Sequence, residues 1–241
     1  MTDDFFDAQV AASYDADHGG TDPALIAQTV DVLADLAEGG AALEFAIGTG
    51  RIALPLAARG VKVCGNELSA AMLAEMRNKP GGADIPVVLG DMTHVRTPGA
   101  FSLVFLVFNT LDNLTTQDAQ VACFENAAAH LEQGGRFLVE TQLPPLQRLP
   151  FGETRLPFAH DPDHWGVDEF DVTTQSYHSH HLWMKGDKPE HLSVPFRYAW
   201  PAEMDLMARI AGLKLEHRWA DWHRAPLTNT SLSHISVWRK P

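Results

Sequence analysis

Between residues 41 and 141, short apolar runs alternate with segments of helical spacing, and this rhythm limits the chain more than any other feature. The runs 41–46, 61–65, 86–89, 101–108 and 136–141 read as strands, and 51–59, 70–77 and 116–131 read as helices. Strands joined through helices cannot pair as hairpins, so they lie parallel, with both faces of the sheet covered. Upstream, Asp22 and Pro23 open a helix that carries Leu25, Ile26, Thr29, Val30, Leu33 and Leu36 at helical intervals and stops at Gly39-Gly40. Pro55 must fall in the first turn or two of its helix, since deeper it would kink the backbone. The first twenty residues, broken by Gly19-Gly20, read as an arm or a short helix.

The rhythm changes after Thr141. Pro144, Pro145, Pro150, Pro157 and Pro162 punctuate a stretch that cannot be one regular element. Polar and apolar residues then alternate over 167–184, as in a half-exposed antiparallel pair, with a third strand near 192–200. Pro201 starts a helix that Gly212 closes, and 213–219 and 234–238 read as two final strands. The expected fold is α/β: a doubly wound, mostly parallel, seven-stranded sheet with an inserted antiparallel β lid. The expected divisions are an arm and helix over 1–40, an α/β core over 41–141, the lid over 142–200, and a helix with closing strands over 201–241.

Charge narrows the partners. Acidic residues number 31 against 18 basic, a net of −13, which opposes phosphate backbones and anionic headgroups. No nucleic-acid or membrane partner is therefore expected, while a small cationic or zwitterionic ligand is compatible. Cys64 and Cys123 are too few for a disulfide framework, which points to a reducing cytoplasm. The acidic start, Met1 to Asp7, lacks a secretory pattern, and the longest apolar stretch, 101–108, is too short to span a bilayer.

The segment from Glu44 to Arg51 joins the first strand to its helix and holds Gly48 and Gly50. Glycines there let the backbone turn sharply and approach a ligand. A tight turn without a ligand is one reading. Another is a dinucleotide fingerprint, Gly48-x-Gly50-x-x-Ala53, with Glu67 at the ribose distance, as in a nicotinamide-dependent oxidoreductase. The acids separate the readings. Glu44, Glu67 and Asp91 place a carboxylate at three successive strand ends, on the edge where open α/β sheets bind ligands. A pyrophosphate would be repelled by Glu44. S-adenosylmethionine has no phosphate, and its ammonium, sulfonium, ribose hydroxyls and adenine amine all suit carboxylates or hydrogen-bond acceptors.

Glu-x-x-x-Gly-x-Gly at 44–50, Gly65-Asn66-Glu67-Leu68-Ser69, and Gly90-Asp91-Met92 resemble, in order and spacing, the class I S-adenosylmethionine-dependent methyltransferases. The resemblance implies the family's Rossmann-like fold and this cofactor. It assigns the cofactor's methionine part to Glu44, Ala46, Gly48 and Gly50, and counts Thr49 among the cofactor-binding residues. Glu67 would grip the ribose, Leu68 and Met72 would flank the adenine, Asp91 would accept from its amine, and Met92 would pack beside it. Ala46 departs from the glycine frequent at that position, which narrows the loop. Phe108 and Asn109 fall where the family places its reaction floor, although residues up to Phe108 also suit a core strand. Tyr14-Asp15 resembles the arm of glycine N-methyltransferase and sugar N,N-dimethyltransferases, where the tyrosine closes over the cofactor. A ring that only anchors its helix is the alternative for Tyr14.

The expected activity is methyl transfer to a small-molecule acceptor by in-line displacement, with no residue given a catalytic role. A non-catalytic S-adenosylmethionine-binding protein stays open beside it. Asn109 to Asn113 lacks the Asp/Asn-Pro-Pro-Tyr motif of amino-methylating DNA enzymes. His160, His164, His178, His180 and His181 are candidates for a general base rather than a metal set, and no metal is expected. Asp161 and Asp163 suit a solvated turn. Six tryptophans in the C-terminal half suit strand packing, with some free to wall an acceptor pocket. In the resembled family an antiparallel lid is a common dimer surface, so a homodimer is one expectation.

Overall fold

The computed structural model describes residues 7–18, 22–186 and 188–241. The acidic stretch 1–6 and the Gly19-Gly20 break lie outside the described residues. Helix α1 (Ala8–His18) is the arm, and α2 (Pro23–Ala37) follows, with Asp22 Oδ1 accepting from the Ala24 N–H at 2.9 Å. The core then runs β1 (Ala41–Glu44), α3 (Ala53–Ala58), β2 (Lys62–Glu67), α4 (Ala70–Arg77), β3 (Val87–Leu89), β4 (Phe101–Leu106), α5 (Gln117–His130) and β5 (Leu131–Gln142). Ser69 and Thr116 cap α4 and α5 through their hydroxyls, which satisfies N–H groups that a helix leaves without partners. Pro55 is in the first turn of α3, where its missing N–H costs nothing.

The second sheet is an uninterrupted excursion from the end of β5. It comprises β6 (Arg155–His160), β7 (His164–Asp171), β8 (Ser176–Lys185) and β9 (Lys188–Arg197), in spatial order β6-β7-β8-β9, all antiparallel. The chain returns through α6 (Pro201–Ile210) and ends in β10 (Lys214–Trp219) and β11 (Ser233–Arg239). The first sheet has seven strands in the order β10-β11-β5-β4-β1-β2-β3, parallel except for the β10-β11-β5 end. Strand β6 lies within the proline-rich stretch that reads as irregular. Pro157 is tolerated because β6 is an edge strand with a register shift at 157–159, so no ladder bond needs its N–H.

Strand residues alternate between two apolar layers. Leu43, Val104, Phe137 and Val139 face α5 and α6, while Ala42, Leu103, Phe105 and Leu138 face α2 and α3. In the first layer Phe124 meets Phe137 and Trp238 edge-on at 5.0 and 5.2 Å between ring centroids. Trp238 also donates through Nε1 to Asp205 at 2.9 Å, so its buried polar atom is satisfied. A third apolar cluster, of Leu156, Phe170, Tyr177 and Tyr198 with Leu146 and Leu149, seats the second sheet on the core. Among the described residues, no helix is long and apolar enough to cross a membrane.

Candidate functional site

From β1 the chain proceeds outward to β2 and β3, then returns to place β4 on the other side of β1. That reversal opens a crevice at the carboxyl ends of the strands, the place where sheets of this kind take ligands. A cleft of about 800 Å³ lies there and meets a smaller hollow of about 390 Å³. Tyr14, Ala46, Gly48, Phe108 and Thr110 border both spaces.

The turn after β1 is shaped by β2. Ala46 has φ 53°, Gly48 φ 57° and Gly50 φ 79°. Ala46, a residue with a Cβ in the left-handed region, incurs a strain of about 1 kcal/mol. It is held there by donating to Asn66 Oδ1 at 3.1 Å, and Ile47 donates to the Asn66 carbonyl at 2.9 Å. Glu67 accepts from the Gly48 N–H with Oε2 at 2.8 Å and from the Ser69 N–H with Oε1 at 2.9 Å. A Cβ on Gly48 would come no closer to a neighbour than 3.4 Å, at the Met72 methyl, whereas one on Gly50 would press on Met76 Cγ at 2.9 Å. Gly48 therefore faces the cleft, and Gly50 serves the packing of α3 on α4.

Asn66, Glu67, Leu68, Met72, Asp91 and Met92 wall the larger cleft. Asp91 Oδ1 accepts from the N–H and hydroxyl of Thr93, both at 2.8 Å, which fixes its carboxylate at the end of β3. Glu44, Thr49 and Arg51 wall the smaller hollow. Glu44 is buried, and that burial pushes its pKa well above the usual carboxylate range, with the Arg51 guanidinium offsetting part of the shift. Glu44 Oε2 and Asn66 Nδ2 are buried without a hydrogen-bond partner. An acceptor and a donor left in this condition cost about 1–3 kcal/mol each until something bonds them.

Tyr14 reaches the same place from α1, where burial raises its phenol pKa and Arg51 opposes the shift. Its neighbour Asp15 accepts from the Thr49 hydroxyl at 2.6 Å and pairs with Lys79. Phe108 and Asn109 follow β4 with φ 62° and 55°. The Phe108 ring lies against Arg51, whose Cζ is 3.2 Å from the ring centroid. Asn109 is on neither wall; it accepts from the Gln142 N–H at 2.6 Å and so braces the corner.

Arg51, Asn66, Thr110, Asn113 and Leu114 are wall residues that motif reading does not single out. Arg51 and Asn66 adjoin the glycine turn and Glu67, so adjacency is the one signal that points to them. The last three belong to a single 3-10 turn, Thr110–Asn113, and the residue after it. None of the candidate base histidines is on either wall. His164 and His181 stack with Trp183 on the second sheet, and His178, His180 and His191 stack on its other face. None of the six tryptophans lines either space.

Among the described residues, the two walls offer three carboxylates, one guanidinium, three aromatic rings and an apolar slot. The site suits an elongated ligand with hydroxyl or ammonium groups for the acids and a single negative group for Arg51. The pyrophosphate of a dinucleotide would meet Glu44 and Glu67 instead.

Residues 42–135 match the family model described as a methyltransferase domain. No curated protein sequence matches the chain. Among solved structures, the CcbJ methyltransferase from Streptomyces caelestis is 34% identical, with a TM-score of 0.87 over 100% of this chain and 99% of that one. CalS10, an amino pentose methyltransferase from Micromonospora echinaspora, is 20% identical with a TM-score of 0.70, covering 95% of this chain and 97% of that one. The sugar N-methyltransferase KedS8 from Streptoalloteichus sp ATCC 53650 is 19% identical with a TM-score of 0.65, covering 93% and 92%.

Proposed function

The chain belongs to the S-adenosylmethionine-dependent methyltransferase family, and we propose that it methylates an amine nitrogen of a small organic molecule or amino sugar. The observation that carries the cofactor assignment is the hollow whose wall holds both the unpartnered Glu44 Oε2 and the Arg51 guanidinium. A free acceptor beside one cation complements the ammonium and carboxylate of an α-amino acid. The open cradle at Gly48 leaves room for that group against the backbone.

When bound, the cofactor supplies a methyl group activated by a sulfonium. Glu44 and Arg51 would hold its amino-acid end, Glu67 its ribose, and Leu68, Met72, Asp91 and Met92 its adenine. Tyr14 and Phe108, which border both spaces, place aromatic rings at the junction, where such rings favour positive charge and exclude water. Asp15, Thr49 and Lys79 keep Tyr14 in place. The protein's contribution to such a displacement is alignment of the two reacting groups.

Two observations support nitrogen as the acceptor atom. An oxygen or carbon acceptor needs a base, and the carboxylates on the walls are Glu44, Glu67 and Asp91, all on the cofactor's side. A neutral amine needs none. The structural relatives CalS10 and KedS8 are an amino pentose methyltransferase and a sugar N-methyltransferase.

Thermal unfolding with S-adenosylhomocysteine, S-adenosylmethionine and NAD tests the first part. A hundredfold excess over Kd adds about 2.7 kcal/mol, and each kcal/mol moves Tm by roughly 2–4 °C in a chain of this size. The first two ligands shift Tm and NAD does not; the reverse pattern overturns the family role. Mass spectrometry over a panel of amino sugars, simple amines and their hydroxyl analogues tests the second part. Methylation confined to hydroxyl analogues overturns the amine reading, and binding with no acceptor methylated favours a non-catalytic binder.

A further inference from the structure

Phe108 has φ 62°, a backbone conformation in which a Cβ crowds the main chain. Asn109 shares it at φ 55°, but an asparagine tolerates it, whereas a phenylalanine adopts it only under constraint. The constraint comes from two alternate residues of β5. Glu140 Oε2 accepts from the Phe108 N–H at 2.6 Å, and the Gln142 N–H donates to Asn109 Oδ1 at 2.6 Å. A carboxylate acceptor makes the first of these a charge-assisted bond, the stronger kind. On the other side the Arg51 guanidinium lies on the Phe108 ring, and its charge acts on Glu140 as well. Backbone, ring, carboxylate and guanidinium form one closed set around a residue that borders both spaces of the site.

We propose that Glu140 is a positioning residue for methyl transfer: by holding the Phe108 amide it sets the angle at which the Phe108 ring faces the junction of cleft and hollow. Glu140 lines neither space, so it acts through Phe108. The proposal rests on the reading above, in which that junction receives the sulfonium. An aromatic face turned toward a cation attracts it; the same ring rotated presents its edge and does not.

The test compares two ligands that share every group except the one at the sulfur. S-adenosylhomocysteine is a neutral thioether there, while sinefungin carries an ammonium near the methyl position. Their ratio of dissociation constants therefore reports the junction, and effects on the shared carboxylate, including any through Arg51, cancel. Calorimetric titration of wild type, Glu140→Gln and Glu140→Met gives the ratios. Glutamine keeps an oxygen that accepts from the Phe108 N–H; methionine fills the space without accepting. The Met variant is expected to lose about three- to tenfold of the preference for sinefungin, with the Gln variant within about twofold of wild type. Should Glu140→Met fail to fold, Glu140→Thr serves, since threonine suits a strand and is too short to reach the amide. A folded Met or Thr variant with the wild-type ratio overturns the proposal while the cofactor reading stands. Wild type that binds neither ligand removes that reading and the proposal with it.

Discussion

The Thr49 hydroxyl donates a 2.6 Å hydrogen bond to Asp15, so a residue of the glycine turn fastens the arm helix one position from Tyr14. Lys79 completes the latch by pairing with Asp15 and donating to the Thr49 carbonyl at 2.8 Å. Thr49 is only 2% exposed, and valine would fill its volume while breaking the bond. Thr49→Val is expected to weaken S-adenosylhomocysteine binding about three- to tenfold, a part of the roughly 1.5–3 kcal/mol that a hydrogen bond to a charged group is worth, with little change in Tm. Titration calorimetry measures the affinity, and faster hydrogen exchange in α1 would locate the loss. Unchanged affinity would mean that the latch has no part in binding.

Glu44→Gln separates folding from binding. The carboxylate is buried with one oxygen unpartnered, and its raised pKa says that the fold disfavours its charge. Removing the charge should leave the ligand-free protein as stable or more so near neutral pH. The same change should weaken S-adenosylhomocysteine by about tenfold or more through loss of a charge-assisted bond. A variant that binds as tightly as wild type would take Glu44 out of the site.

Asp112 gives a pH dependence with a definite sign. It is buried between Thr141 and Tyr177, and burial pushes its pKa up to about 7 despite hydrogen bonds from Tyr177, Thr141 and Gln142 and the charge of Arg197. The folded state then holds the proton more tightly than the unfolded chain between about pH 4 and 7. Stability from this group is present below that window and lost as pH rises through it. Asp112→Asn should flatten the stability profile over that range, by roughly a few kcal/mol in all, as read from urea unfolding at stepped pH. An equal slope in wild type and variant would assign the dependence elsewhere.

The two glycines of the turn should fail differently. Gly50→Ala forces a Cβ to 2.9 Å from Met76 Cγ at φ +79°, so a loss of about 1–3 kcal/mol of stability is expected. At Gly48 a Cβ meets nothing closer than 3.4 Å, so the fold loses only about 1 kcal/mol of stability, to added backbone strain at φ +57°. The Gly48→Ala protein should nevertheless lose S-adenosylhomocysteine binding, since its methyl enters the cradle. Paired Tm and Kd measurements on both variants decide this.

Features carried by local pattern are legible in the sequence. Glu44, Glu67 and Asp91 each follow an apolar run, and the parallel sheet converts those intervals into neighbours on one edge. Helix α4 begins at Ala70 because Ser69 caps it, which sequence alone indicates. What escapes is set by distant pairing. Nothing near Glu140 signals its bond to Phe108, 32 residues away, and nothing near Pro157 signals that its strand lies at a sheet edge. The 3-10 turn that brings Thr110 and Asn113 to the cleft depends on Gln120 of α5 reaching the Leu111 carbonyl and on Thr141 of β5 reaching Asp112. The candidate base histidines alternate along β8 as the pattern suggests, but alternation does not say how far a sheet stands from a cleft.

The antiparallel sheet leaves the core after β5 and returns at α6, so it is one continuous length of chain. Among the described residues, every wall residue of the cleft and hollow precedes it in the sequence. Recombination at two joints could therefore exchange this block for another without dividing the codons of the ligand site. The graft would have to satisfy a few polar ties: Tyr177 with Asp112 and Gln142, Arg197 with Gln120 and Glu203, and Gln175 with Glu203. A lineage built this way can diversify one sheet of its molecule by cassette while the sheet that carries the ligand site is inherited intact.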